Sequence, residues 1–522
     1  MNRFGKCMNC RSESKESGEE SVSSCRRLRQ EEGTAFAAQK GDEMSEIKEG
    51  KSLPFEIIAE RTATDEKKAE ALLEKAMEGF SKKIVVLDDD PTGVQTVHDV
   101  SVYTDWELDT LRSGFAEEES MFFVLTNSRS FSEEKTRKVH QQIADNISKA
   151  AAEAGKDFMI ISRGDSTLRG HFPLETQVLA DTLEQETGIS IDGEILCPFF
   201  PEGGRYTMDN IHYVKDGNRL IPAGMTEFAR DKTFGYRSSD LCAYVEEKTH
   251  GAYAAKDCIT IALEECRALD VDGILHKLMT AQNRTKIIVN AVCYADLKVF
   301  AAALVLAMKE GKQFLARSAA ALPKVLGRVS DQPLLSREQL TGEETNGGIV
   351  LVGSHVKKTT DQLDALRTLD GPIDFMEFQV NAIFEAGGLQ QEVERIVALA
   401  QDTILRGRTA VIYTSRKLLA PKEMTPEEKL QISVAISDAV TGIIGRLTVK
   451  PKFIIAKGGI TSSDVGTKAL AVKKARVMGQ VKKGIPVWMT GQESKFPGMP
   501  YIIFPGNVGE IETLREIVEE LQ

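Results

Sequence analysis

The run Lys83-Ile-Val-Val-Leu-Asp88-Asp89-Asp90-Pro91-Thr92-Gly93 decides how this chain folds. Its apolar residues are consecutive rather than alternating, which marks a short strand buried on both faces, as in a parallel sheet covered by helices. A helical pattern from Ala63 to Phe80 leads into it. Similar runs recur at Met121 to Thr126, Phe158 to Ser162, Ile195 to Pro198 and Ile287 to Ala291, with helical segments between several of them. A second series begins near Gly347, with Ile349 to Val352, Ala410 to Tyr413, Phe453 to Ala456 and Tyr501 to Phe504. The expected class is α/β, in two domains, each a mainly parallel sheet flanked by helices, with the active site in the cleft between them. The polar segment Ser336 to Asn346 divides the series, which sets the domains at residues 51–335 and 347–522.

Composition narrows the function classes. The chain has 522 residues, 42% hydrophobic and 28% charged, a length that suits two domains. Its net charge of −12 argues against a nucleic-acid or anionic-membrane partner, while leaving room for a local basic pocket. The longest apolar stretch, Phe300 to Met308, is too short to span a bilayer. Residues 1–50 are poor in aliphatic residues and are expected to be disordered, with Met44 the more natural start. Eight cysteines form no paired framework, and Cys7-x-x-Cys10 is half a zinc site without a partner pair, so no protein-held metal is expected. No signal peptide opens the sequence, and a reducing, cytoplasmic setting is the expectation.

Two polar clusters follow apolar strands in the first series. Asp88, Asp89 and Asp90 crowd at one strand's carboxyl end, where their repulsion calls for a cation or a substrate hydroxyl. The second cluster is Ser162-Arg163-Gly164-Asp165-Ser166-Thr167-Leu168-Arg169-Gly170-His171. Its arginines can grip a carboxylate or phosphate through paired hydrogen bonds. His171 taken alone is more often structural. The loops containing Arg205 (Pro198 to Tyr206) and Phe228 (Thr226 to Asp231) read equally as cleft wall or ordinary surface.

The second series repeats another arrangement, a strand, a glycine-bearing turn, then a helix. It occurs at Gly353-Ser354-His355, at Lys457-Gly458-Gly459-Ile460-Thr461 and at Pro505-Gly506-Asn507-Val508-Gly509. Such turns let backbone approach a phosphate closely, and they gather at the carboxyl ends of parallel strands. Lys357 and Lys358, at the start of the next helix, add mild support for an anion there. Neither Gly-x-x-x-x-Gly-Lys-Ser/Thr nor a strand-linked Gly-x-Gly-x-x-Gly is present, so a different nucleotide site is indicated.

Together these motifs resemble the four-carbon acid sugar kinase family over roughly Leu53 to Gln522. The carriers are Asp89-Asp90-Pro91-Thr92-Gly93, Asp165-Ser166-Thr167, Gly353-Ser354, Lys457 to Thr461, and Gly506-Asn507-Val508-Gly509. The resemblance implies an N-terminal sugar-acid domain, a C-terminal nucleotide domain and transfer of phosphate from ATP. The acceptor would be a terminal hydroxyl of 3-oxo-tetronate, D-threonate, D-erythronate or a branched oxo-acid. It places ATP on Ser354, Gly458, Gly459, Ile460, Thr461 and Gly506, and the acid against Asp89, Asp90, Arg163, Asp165 and Ser166. Thr92, Gly93, Thr167, Arg169 and His171 complete the expected substrate side. Pro91 and the Gly-Gly-Ile-Thr turn differ from shorter members, which suggests a distinct branch. The expected mechanism uses Mg²⁺ on the phosphates, Asp89 or Asp90 as base with Asp165 as second choice, and Arg163 and Arg169 on the substrate carboxylate. A homodimer is the generic expectation. Two competing readings are a haloacid-dehalogenase-like phosphatase using Asp88 and Asp90, which leaves the glycine turns unexplained, and a non-catalytic nucleotide or metabolite sensor.

Overall fold

The computed structural model describes residues 50–354, 356–415, 424–506 and 508–522. The expected N-terminal disorder, Met44 and Cys7-x-x-Cys10 lie outside the described residues, as do His355 and Asn507 of the quoted turns. Residues 50–522 form one compact unit.

Fifteen strands make one continuous sheet. In chain order they are β1 (Lys83–Asp88), β2 (Val100–Tyr103), β3 (Met121–Leu125), β4 (Phe158–Arg163), β5 (Gly193–Cys197), β6 (Ile259–Ile261), β7 (Thr285–Val289) and β8 (Phe314–Ser318) from the first series. The second series supplies β9 (Ile349–Val352), β10 (Ile373–Phe378), β11 (Thr409–Thr414), β12 (Ile454–Lys457), β13 (Lys474–Lys482), β14 (Ile485–Thr490) and β15 (Pro500–Phe504). Across the sheet the order is β6-β7-β5-β8-β4-β1-β3-β2-β13-β14-β15-β12-β9-β11-β10. All eight strands of the first series are parallel, as are β15, β12, β9, β11 and β10. The two mainly parallel halves are thus hydrogen-bonded edge to edge through β2 and β13, which pair antiparallel at Ser101↔Arg476 and three flanking positions.

Continuous apolar runs locate nine of the fifteen strands, but β2, β6, β8, β10, β13 and β14 escape that reading. β13 alternates buried with more exposed residues, and most of β10 is only half-buried, because one face of each is only partly covered. The apolar stretch Phe300 to Met308 lies in the helix Tyr294–Lys309, buried almost all round. It packs on the helices Glu66–Met77 and Val271–Met279, so its hydrophobicity belongs to the protein core. No helix among the described residues is long and apolar enough to cross a membrane. A small antiparallel sheet, built from Arg205–Met208, Ile211–Asp216, Arg219–Pro222 and Leu53–Pro54, stands beside the first series.

In each half the strand order reverses at one point, and that point carries the site. From β1 the chain builds β3 on one side and then β4 on the other; from β9 it builds β11 on one side and then β12 on the other. Crossovers leave in opposite directions there and open a crevice at the carboxyl ends. Three antiparallel pairings separate the halves, so in a flat sheet the two crevices would face opposite ways. Ordinary strand twist of about 20–25° per pairing, summed over the six pairings from β1 to β12, would swing the two carboxyl ends toward each other. Two register irregularities between β13 and β14 fall within this stretch, where bulges increase twist.

Candidate functional site

β1 ends at Asp88, and the next five residues turn sharply. The Asp88 carboxylate lies on Gly93, where a Cβ would sit 1.9 Å from its oxygen, so position 93 has room only for hydrogen. Arg163 Nη1, at the end of the adjacent β4, donates to Asp88 at 3.2 Å. Burial pushes the Asp88 pKa up to about 7 against the pull of Arg163, and the charges of Asp89 and Asp90 add to the rise. Asp89 is held at both oxygens by Arg129, at 2.6 Å and 3.0 Å. Asp90 accepts from the Thr92 amide at 2.9 Å, the Thr92 hydroxyl at 2.5 Å and Arg129 Nη1 at 3.4 Å. Burial alone would raise Asp90, but Arg129 and the two Thr92 bonds outweigh it and hold the carboxyl below its ordinary range.

The turn after β4 completes this acidic and basic cluster. Burial opposes the charge of Asp165, yet Arg129, Arg169 and the Thr167 hydroxyl together hold its carboxyl well below the usual range. Arg169 Nε donates to Asp165 at 2.7 Å. Four successive carbonyls of the turn are each held by a side chain from a distant element. His212 bonds the carbonyl of Ser166 at 2.8 Å, Tyr236 that of Thr167 at 2.7 Å, Tyr244 that of Leu168 at 2.9 Å and Arg317 that of Arg169 at 3.3 Å. This clamp sustains the left-handed Leu168, at φ 68°, a conformation a branched side chain otherwise avoids. Arg317 also pairs with buried Glu175 at 2.5 Å, and its guanidinium occupies the space that a Cβ at Gly164 or Gly170 would need.

The nucleotide side is made differently. Gly353, Ser354 and the turn from Gly458 to Thr461 border a cavity of about 740 Å³ whose far wall includes Val434, Ile436 and Val440. Gly458 has φ +127°, and a Cβ there would lie 3.2 Å from Ser354 Cβ. Thr461 Oγ1 would lie 2.2 Å from a Cβ on Gly353, so the two turns interlock only through glycine. Thr359 donates to the Gly506 carbonyl at 3.1 Å and joins the third turn to them. Beneath all three lies Lys457, fully buried, with Nζ donating to the Pro505 carbonyl at 2.6 Å and lying 3.8 Å from the Phe504 ring centroid. Burial lowers its pKa to about 7, and the charge of Lys358 adds to the fall.

The two sides meet. Asp90 Oδ2 lies 3.8 Å from where a Cβ of Gly459 would be. Asn127, just beyond β3, donates to the Ser463 hydroxyl, and Ser130 of the first series lines the nucleotide-side cavity.

The structure therefore gathers Asp89, Asp90, Thr92, Gly93, Arg163, Asp165, Thr167 and Arg169 in one cluster, and Ser354, Gly458, Gly459, Ile460, Thr461 and Gly506 in the other. Several placements differ from expectation. Arg163 is buried behind the carboxylates and turned to Asp88 and Asp89 rather than outward. Ser166 is buried, and the Thr167 hydroxyl is committed to Asp165. His171 stands apart from the carboxylates, its Nε2 on the Phe131 carbonyl at 3.0 Å and its ring edge-on to Phe234, which is a packing role. Asp88, shut against Gly93 and Arg163, is not placed as the exposed nucleophile of the phosphatase reading. Sequence reasoning missed Arg129, Glu175 and Arg317. Arg129 follows an apolar strand in Thr126-Asn127-Ser128-Arg129, the signal that found the other clusters, whereas Arg317 lies inside a strand and gives none. Among the described residues no group of three or more His, Cys, Asp or Glu side chains is arranged to hold a metal.

Residues 84–326 match the model of a sugar-binding N-terminal domain, and residues 349–514 match that of a nucleotide-binding C-terminal domain. Among solved structures, a protein of Salmonella typhimurium LT2 that carries a tRNA-synthase name is 15% identical, with a TM-score of 0.59 over 85% of this chain and 99% of its own. Haemophilus influenzae protein HI1011, of family DUF1537, is 16% identical, with a TM-score of 0.54 over 83% of this chain and 99% of its own. At such identities the likeness carries the fold alone. No match was found among curated proteins. With a sugar-binding domain followed by a nucleotide-binding domain on the DUF1537 fold, the chain belongs to the four-carbon acid sugar kinase family.

Proposed function

We propose that the protein transfers the γ-phosphoryl group of ATP to a terminal hydroxyl of a four-carbon sugar acid such as 3-oxo-tetronate, D-threonate or D-erythronate. The observation that carries this reading is the approach of Asp90 to Gly459, which brings a carboxylate of the sugar side against the glycine turn of the nucleotide side. Phosphoryl transfer asks a protein chiefly for in-line positioning and for neutralised phosphate charge. The amides of Gly459, Ile460 and Thr461, in the first turn of the helix Gly459–Asp464, suit the phosphates, the Gly458 amide being bonded to the Phe504 carbonyl, and the apolar wall at Val434, Ile436 and Val440 suits the base. Asp90 accepts the proton of the sugar hydroxyl as its oxygen bonds to phosphorus and the bond to the ADP oxygen breaks. Asp89 is less suited, because Arg129 occupies both of its oxygens. The Mg²⁺ that accompanies ATP binds mostly phosphate and water, needs only one or two protein carboxylates, and neutralises phosphate charge.

The test is ADP release from Mg·ATP against a panel of four-carbon and branched sugar acids, with Asp90→Asn beside the wild type. ADP formed with one acid and lost in the variant, while ATP still raises the melting temperature of both, is the expected result. No ADP with any acid and no stabilisation by ATP would overturn the reading.

A further inference from the structure

One arginine on the sugar side has no carboxylate within ion-pair distance among the described residues. Arg205 opens the strand Arg205–Met208, in a tight loop closed by two backbone bonds between Phe200 and Arg205, at 2.9 Å and 3.1 Å. Its Nη1 donates to the Gly203 carbonyl of its own loop, and its Nε is buried with no hydrogen-bond partner. Burial is the main influence on it and draws its pKa below the usual arginine value, against the attraction of Asp165. A half-buried guanidinium with no ion pair among the described residues is costly to keep charged unless an anion neutralises it.

The neighbouring side chains say what shape that anion has. Phe228 carries two guanidiniums, with Arg169 Cζ 5.0 Å and Arg205 Cζ 5.7 Å from its ring centroid. Asp165 holds Arg169 through Nε at 2.7 Å, and Asp231 lies 3.9 Å from Arg169 Nη1. Contact with an aromatic ring restrains a guanidinium, and Nη2 of Arg205 together with the Nη groups of Arg169 remain for a planar anion that both can share. A carboxylate is such an anion. Arg163, the other arginine of the turn, is turned inward to Asp88 and Asp89.

We propose that Arg205, beside Arg169 on the Phe228 ring, binds the carboxylate of the sugar acid and so selects acids over uncharged polyols. The inference rests on the sugar-acid kinase reading above. Asp165 then serves as the counter-charge that positions Arg169.

The experiment compares D-erythronate and D-threonate with erythritol and threitol, which keep the carbon chain and hydroxyls but lack the carboxylate. Arg205→Gln is expected to lower kcat/KM for the acids by about 30- to 1000-fold, mostly through KM, as for removal of one partner of a desolvated charge pair. The polyols, already poor for the wild type, are expected to change less than about 3-fold, and the KM for ATP to stay constant. Arg205→Lys should recover only part of the loss, since an ammonium lacks the fork. Should Arg205→Gln not fold, Phe228→Leu, which removes the stacking platform, should still lower kcat/KM for the acids selectively. An equal loss for acids and polyols, or no loss for acids, overturns this inference alone. Absence of wild-type turnover with these compounds and with every other acid of the panel above removes the kinase reading, and this inference with it.

Discussion

The two sides of the site solve the handling of charge in opposite ways. The sugar side is built from side chains, with Asp88, Asp89, Asp90 and Asp165 interleaved with Arg129, Arg163 and Arg169, and a turn whose carbonyls are held by four distant residues. The nucleotide side is built from backbone, with glycine turns that interlock at Gly353 and Gly458, where a Cβ has no room or almost none. The difference suits the ligands proposed for the two sides. A small acid is told from its neighbours by fixed charges and hydroxyl contacts, and these need side chains locked in place. Phosphates are alike in every nucleotide, and amide N–H groups at close approach suffice. Each side also buries a titratable residue at the end of a strand beside its crevice, Asp88 on β1 and Lys457 on β12, and burial brings both pKa values to about 7 from opposite directions.

The comparison breaks most sharply at Asp90, where the sides meet. Asp90→Asn should lower kcat by about 10²- to 10⁴-fold, the usual worth of a general base, with both substrates still bound. Steady-state kinetics with binding titrations check this, and an unchanged kcat would place the base elsewhere. Next is Arg129, whose loss strands two buried carboxylates. Arg129→Met should cost about 3–5 kcal/mol of stability by chemical denaturation, and a loss under 1 kcal/mol would mean the cluster is not the rigid unit described.

Gly458→Ala probes the other side. A residue with a Cβ at φ +127° is strained by about 1–3 kcal/mol, so the KM for ATP should rise about tenfold while that for the sugar acid holds. Equal rises in both would show that the two sides are not separable.

The smallest effects are in pH, and they have opposite signs. Asp88 has a pKa raised from 3.8, so between about pH 4 and 7 the folded state holds a proton the unfolded state has lost, and its stabilising contribution fades as pH rises through about 7. Lys457 has a pKa lowered from 10.5, so its contribution is full above about pH 10.5 and fades as pH falls through about 7. Asp88→Asn should therefore flatten the melting-temperature profile on the acid side of neutrality, and Lys457→Met on the alkaline side. Profiles parallel to wild type would show that these groups titrate normally.

Much of this was legible in the chain. Residues 83–93 gave the parallel strand and its acidic end because burial on both faces forces consecutive apolar residues, and polar residues then appear only where the strand stops. The glycine turns were legible because close packing of backbone tolerates only glycine. Arg317 was not, since an arginine within Phe-Leu-Ala-Arg-Ser reads as strand interruption until Gly164 and Gly170 are seen to admit it. The same holds for the outward-facing role first expected of Arg163, because the spacing of an arginine along a turn does not fix the direction of its side chain.

By itself, then, the sequence determined the strand-and-helix alternation, the two halves and the residues at the strand ends, all of which follow from local pattern and residue chemistry. Only the tertiary structure decided that the halves share one sheet, that twist turns their crevices to face each other, and which arginine pairs with which carboxylate. Those depend on pairings between residues hundreds of positions apart, such as Val102 with Ala475, which no local pattern encodes.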